Sequence, residues 1–325
     1  MHRIPRTLLL LSALVLLAAC EEPVPGEDWD NDGLFAIMGA LVFASPYADP
    51  IEDGVVIVLD GVIEAVGARW EVQVPPGASR VNASGLSVLA GFWNADVWIE
   101  DELLDLAEEG TDEELSQALR ERFTRYGFTT VVDVGSSAAD LQVLTGRISS
   151  GAVRGPNILG LGGALPAGIH QSGWWHGMEG EEVSLAGMPA GDVALVPSLT
   201  LASYPGESEA SEAAARRVSD GVDAVADHLA GGGVLVFGTG AGYVPEYDPA
   251  GEFTLLDEAG ASFVQLLEAL TSEPAQRFDE GYAGFVQPGM TADLTLVEGD
   301  PSADATALAR VRWVIRDGFT VYSAM

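Results

Sequence analysis

The sequence predicts an α/β protein in two parts, a core of buried-type strands alternating with helices, flanked by β-rich segments from both chain ends. Three observations predict it. Asp60-Gly61 and Asp317-Gly318 sit inside apolar runs near either end, and Asp-Gly is a strong two-residue hairpin signal. Between them, apolar runs such as FTTVVDVG and GVLVFG alternate with stretches of helical periodicity, the pattern of a parallel sheet covered by helices. With 325 residues the chain has ample material for one large domain or two smaller ones.

The elements follow in order. His2, Arg3 and Arg6 precede an apolar run, Leu8 to Leu17, too short to span a bilayer. It closes on LAAC, Leu17 to Cys20, which resembles the bacterial lipobox. That resemblance implies a signal peptide over residues 1–19 and a lipidated Cys20, hence a membrane partner and a cell-envelope location. Glu21 follows the cysteine, which by similarity to enteric sorting rules points to the outer membrane. Cys20 is the only cysteine, so an intrachain disulfide is excluded. Residues 20–33 are acidic and rich in Pro and Gly and read as a tether. Asp28, Asp30, Asp32 and Gly33 match the start of a calcium loop, but its twelfth position is Gly39 rather than a bidentate Glu.

From Leu34 to Leu86 the chain reads as all-β, and VRWVIRDGFTVY at the other end repeats the hairpin device. SVLAGFWNADV, from Ser87, reads as the first strand of the middle region. A helix is expected over Thr111–Tyr126, opened by Thr111 and Glu114 as a capping box and closed by Gly127. Leu141, Leu144 and Ile148 mark the next helix, after the strand FTTVVDVG. NILGLGG, VALVPSLTL and GVLVFGTGAG complete five strands. Val218, Val222, Val225 and Leu229 share a helical face, and a last helix opens on Ser262 with Gln265.

Asp and Glu number 49 against 15 basic residues, all Arg, for a formal net charge of −34. Nucleic acid and anionic surfaces both require cations, so neither is an expected partner. The lack of Lys removes Schiff-base chemistry, a lysine general base and a carbamylated lysine bridge.

In this order the motifs resemble the metal-dependent amidohydrolase superfamily, nearest to its imidazolonepropionase-like and prolidase-like members, over nearly all of residues 34–325. VLAGFWNADVWIE stands where that family writes Pro-Gly-Leu-Ile-Asp-x-His-x-His, YGFTTVVDVGS matches its second strand, and GFVQPGMTADLTLVEGDP its C-terminal signature. The resemblance implies an incomplete TIM-like (β/α) barrel over residues 87–280, with a small β-sandwich composed of residues 34–86 and 281–325. In the family, one or two divalent metals at the barrel mouth lower the pKa of a bound water, and an Asp after the last strand shuttles its proton. Here the two His positions carry Asp96 and Trp98, and the Asp position carries Gly240. Indole offers only a donor and glycine no proton to shuttle. About thirty residues, Ala164 to Asp192, replace the family's three further βα units. The strand edges left open need a loop, a rearranged sheet or a second copy of the chain as cover.

Trp98 is expected to fill the space a metal and its water would take. His170, His176 and Glu179, in AGIHQSGWWHGMEGEE, could join Asp96 around a metal if that segment folded back, yet it reads first as a surface or lid loop. Asp133 is expected to serve structure. The expected function is therefore an amidohydrolase-like envelope lipoprotein in a binding role, without a cofactor. Two alternatives stand beside it: a hydrolase of carbon–nitrogen bonds with a rebuilt zinc-type site on Asp96, His170 and His176, and a purely structural envelope protein.

Overall fold

A computed structural model describes residues 33–171, 193–204 and 211–324. Cys20, Asp28, Asp30, Asp32, His176 and Glu179, with the roles expected of them, lie outside the described residues. Five strands open the described chain: β1 (Leu34–Val42), β2 (Ile51–Leu59), β3 (Val62–Ala68), β4 (Ser79–Asn82) and β5 (Leu86–Ala90). Six short parallel strands follow: β6 (Phe92–Val97), β7 (Phe128–Asp133), β8 (Asn157–Gly160), β9 (Ile169–Gln171), β10 (Ala194–Val196) and β11 (Val234–Leu235). The last three are β12 (Leu294–Glu298), β13 (Val311–Arg316) and β14 (Phe319–Ser323).

The two chain ends share one sheet, ordered β14-β13-β12-β5-β1-β2-β3, with β4 also paired to β1. Both hairpin turns have the positive φ pair that Asp-Gly permits, 48° and 82° at Asp60-Gly61 and 50° and 76° at Asp317-Gly318. The tips touch, since a Cβ on Gly61 would stand 2.8 Å from the Asp317 carbonyl oxygen. Phe35, Ile37, Val56, Val58, Val88, Leu294, Leu296 and Trp313 form the core of this unit.

Ser87–Val97, expected as one strand, is two. β5 ends in the sandwich sheet and β6 begins the barrel, with Gly91 between them. A side chain on Gly91 would run into Thr129, so the crossing depends on the missing Cβ. The barrel strands lie in the order β8-β7-β6-β11-β10-β9. The centre is joined by Ala95 N–H to Phe237 O (2.7 Å), Gly240 N–H to Asp96 O (2.9 Å) and Trp98 N–H to Ala241 O (2.8 Å). Trp93, Ala95, Val132, Ile169, Ala194, Val196 and Val236 share one interior cluster, drawn from β6, β7, β9, β10 and the residue after β11. Among the described residues no ladder joins β8 to β9; Leu161 and Leu165, from the connection, pack against the interior there. The incomplete TIM-like barrel with a β-sandwich from both chain ends is the architecture observed, with six barrel strands among the described residues where five were expected. β9 is the addition: His170 lies on a strand, not in a surface loop.

The helices cover the outer face. α1 (Asp101–Glu109), α2 (Asp112–Arg122) and α3 (Gln142–Ser149) flank β6 and β7. α4 (Leu199–Ala202) and α5 (Ser211–Ala230) follow β10, and α6 (Ala250–Glu258), α7 (Phe263–Leu270) and α8 (Ser272–Arg277) follow β11. Both expected capping boxes are formed, at Thr111/Glu114 and Ser262/Gln265. α2 tightens into a 3-10 turn over Thr124–Tyr126 before Gly127 (φ 94°) ends it.

Candidate functional site

The C-terminal ends of parallel barrel strands form the mouth where such folds carry chemistry. On β6 the alternation of side chains is broken there. The pairing with β7 shifts register between Asn94 and Val97, a bulge that turns two consecutive residues inward. Ala95 packs in the interior cluster, and Asp96 follows it. The Asp96 Cβ lies 2.7 Å from where a Gly238 Cβ would stand, with Ser198 Oγ also at 3.1 Å. Gly238 therefore makes room for Asp96 against β10.

Asp96 is fully buried. Its Oδ1 accepts from the Gln171 amide and its Oδ2 from the Ser198 hydroxyl, both at 2.5 Å. Asn94, one residue before the bulged pair, faces the other side. Its Nδ2 donates to Thr239 Oγ1 (2.8 Å) and its Oδ1 accepts from Thr239 N–H (3.2 Å), which fastens β6 to the chain after β11.

Ser198 joins β10 to α4 in the left-handed region (φ 43°, ψ 50°), a strained conformation for a non-glycine residue. Glu252 on α6 holds the helix that follows. It accepts from Leu199 N–H (2.9 Å), Thr200 N–H (2.7 Å) and the Thr200 hydroxyl (2.8 Å). Burial pushes its pKa up to about 7 against the pull of these three donors, and the Asp96 charge adds to the rise. Asp133 serves the loop after β7, accepting from Gly135 N–H (2.8 Å), Ser136 N–H (3.0 Å) and Ile99 N–H (3.2 Å). An open cleft of about 490 Å³ lies beside this helix, lined by Thr200, Ser203, Tyr204, Glu246 and Asp248 among others.

The expected site residues are distributed as follows. Asp96 is at the mouth. His170 is between Ile169, which packs inside, and Gln171, which reaches Asp96; strand alternation turns it to the opposite face. The structure thus pairs Asp96 with Gln171 and not with His170. Trp98 does not fill the interior: it is 37% exposed at the rim and packs on Tyr243 with ring centroids 5.0 Å apart. Gly240 follows Thr239 with φ 71°, and a Cβ there would stand 2.9 Å from Leu201 Cδ2.

Among the described residues a divalent metal finds few of the donors it needs. Of the first-strand positions, Trp98 has no lone pair to give, and only Asp96 offers oxygen. Among the described residues no three His, Cys, Asp or Glu side chains gather as a metal would require.

Gln171, Ser198 and Glu252 were not singled out by the sequence. One signal existed for Glu252: it shares a buried stripe with Leu256 and Ala259 at i, i+4 and i+7, and a carboxylate on such a stripe needs partners.

No protein-family model matches the chain, and no curated protein sequence matches it significantly. Solved structures do. A Xaa-Pro dipeptidase with methionine bound in its active site is 16% identical with a TM-score of 0.69, covering 90% of this chain and 100% of that one. Molinate hydrolase is 15% identical with a TM-score of 0.62, covering 88% and 94%. Ochratoxinase of A. niger is 12% identical with a TM-score of 0.61, covering 90% and 96%. The chain shares their fold.

Proposed function

We propose that this chain uses an amidohydrolase-type barrel as a binding protein, with the family's hydrolysis of carbon–nitrogen bonds given up. The observation that carries this reading is the state of Asp96. Its two oxygens accept from Gln171 and Ser198, so the carboxylate works as an internal fastener between β6, β9 and the connection after β10. The glycine at position 240 supports it, because the position where the resemblance puts the proton-moving acid carries no side chain. The Leu17–Cys20 motif supports a lipid anchor at Cys20 and a place on the cell envelope.

The test is metal content by mass spectrometry on the purified full chain, with Xaa-Pro dipeptide hydrolysis measured after adding zinc, manganese or cobalt. The binding reading expects substoichiometric metal and no turnover above the uncatalysed rate. Near-stoichiometric metal that is lost on Asp96→Ala, together with turnover, would establish the rebuilt hydrolase instead. Intact mass with metabolic palmitate labelling, against Cys20→Ser, checks the anchor separately.

A further inference from the structure

A second cavity lies away from the barrel mouth. It has a volume of about 330 Å³, and its walls include Gln142, Thr145, Gly146 and Ser149 from α3, Asn157 at the N-terminal end of β8, and Arg316 at the end of β13. Most of these walls can hydrogen-bond. The Gln142 and Asn157 amides each bring donors and an acceptor. The Thr145 and Ser149 hydroxyls donate to Leu141 O (2.9 Å) and Gly146 O (3.1 Å), so their oxygens keep lone pairs for a further donor.

Arg316 brings a positive charge to this wall. Its side chain is mostly buried, and Nη1 donates to Asp317 Oδ2 at 2.9 Å. Nε is buried and has no acceptor among the described residues. A buried N–H of a charged group left without an acceptor costs free energy. Nε and Nη2 form the edge of a guanidinium that takes a carboxylate through two parallel bonds, and Asp317 uses the other nitrogen. Asp293 also lies in the field of Arg316. Burial lifts its carboxyl to about 7, so at neutral pH it opposes an added anion only in part.

Gly146 is an independent sign. It sits inside α3, where glycine is less favourable than alanine. Its φ is not left-handed, and an added Cβ would meet no atom within 4 Å. Neither the backbone nor the packing calls for a glycine there, whereas a molecule lying close against the helix does. We infer that this cavity binds a small hydroxylated carboxylate. Its acid group takes the Nε–Nη2 edge of Arg316, its hydroxyls bond to the polar side chains of α3 and β8, and Gly146 gives it room. The site stands apart from Asp96 and works in the same way whether or not the mouth holds a metal.

D-Gluconate, its neutral counterpart D-glucitol, and hexanoate, which has the acid without the hydroxyls, serve as probes. Each is titrated into the full chain by isothermal calorimetry. Saturable gluconate binding is expected, roughly tenfold tighter than either of the others, as a charge-assisted hydrogen bond implies. Arg316→Gln should weaken gluconate roughly tenfold. Arg316→Lys, which keeps the charge and loses the fork, should also weaken it. Circular dichroism checks that both variants fold. Gly146→Ala decides the matter without touching Arg316: it should raise the urea midpoint, since the helix gains and no neighbour is displaced, and still weaken gluconate several-fold. Lack of saturable gluconate binding would overturn the inference. So would equal affinity for gluconate and either other probe, or gluconate affinity unchanged in folded Arg316→Gln or in Gly146→Ala.

Discussion

Asp96→Ala is expected to weaken the fold, and its partners set the size of the effect. A hydrogen bond to a charged group contributes about 1.5–3 kcal/mol net. Gln171 is only half-buried, so without Asp96 its amide can turn to water and recover most of its share. Ser198 is 1% exposed, so its hydroxyl stays buried without an acceptor, at a cost of about 1–3 kcal/mol. Against these losses, the variant no longer buries a carboxylate, which returns part of the desolvation cost. The balance is a loss of about 2–3 kcal/mol, roughly 3–5 °C in Tm for a chain of this size. A carboxylate kept for chemistry behaves in the opposite way, because active sites hold strain that truncation relieves. Urea unfolding followed by far-UV circular dichroism, in EDTA, measures the difference. Asp96→Asn is the companion variant: it keeps the shape but aims an NH2 group at a donor, and it should lose a similar amount. If Asp96→Ala proved as stable as the parent or more so, the fastener role would be refuted and a functional one favoured.

Three further outcomes are expected. Gly240→Asp, which writes the missing acid back, should give no hydrolysis with added zinc and should cost about 1–3 kcal/mol, because φ 71° and Leu201 both oppose a side chain; calorimetric Tm and a dipeptidase assay check it. Glu252 has a folded pKa of about 7, raised from 4.5, so the native state holds more protons than the unfolded one between those values. Its contribution is therefore greatest below about pH 4.5 and is lost as pH rises towards 7; Glu252→Gln should flatten the stability profile between pH 5 and 8 in urea titrations. Gly91→Ala should cost more than about 2 kcal/mol through overpacking against Thr129, seen as a lower urea midpoint with an unchanged slope.

What the sequence revealed was whatever depends on neighbours along the chain. The capping boxes at Thr111 and Ser262 need only a residue and another three positions on. The Asp-Gly hairpins need only two residues, and both formed. Order of motifs carried the architecture at identities of 12–17% to the solved structures. The site was less legible because it depends on register between distant segments. The bulge at Ala95–Asp96 exists only relative to β7 and the chain at 237–241, so strand alternation alone does not say which way Asp96 faces. β9 has three residues and no periodicity of its own; its partner β10 lies more than twenty residues on. Ser198 and Gln171 are ordinary polar residues until both meet one carboxylate.

The run GTGAG shows how closely the mouth is packed. Gly238 lacks a side chain so that Asp96 and Ser198 can approach across it, Gly240 takes a left-handed turn beneath Leu201, and Gly242 lies against the Trp98 carbonyl. Each glycine makes room for a different neighbour, and those neighbours are the carboxylate, the helix after β10 and the rim aromatic. An acid returned to position 240 would have to displace Leu201 or change the backbone angle that lets Gly240 N–H reach Asp96 O. Either movement disturbs the bonds that hold Asp96 inward. On the reading proposed above, a hydrolytic centre would therefore need several concerted changes, in the last strand, in β6 and in α4.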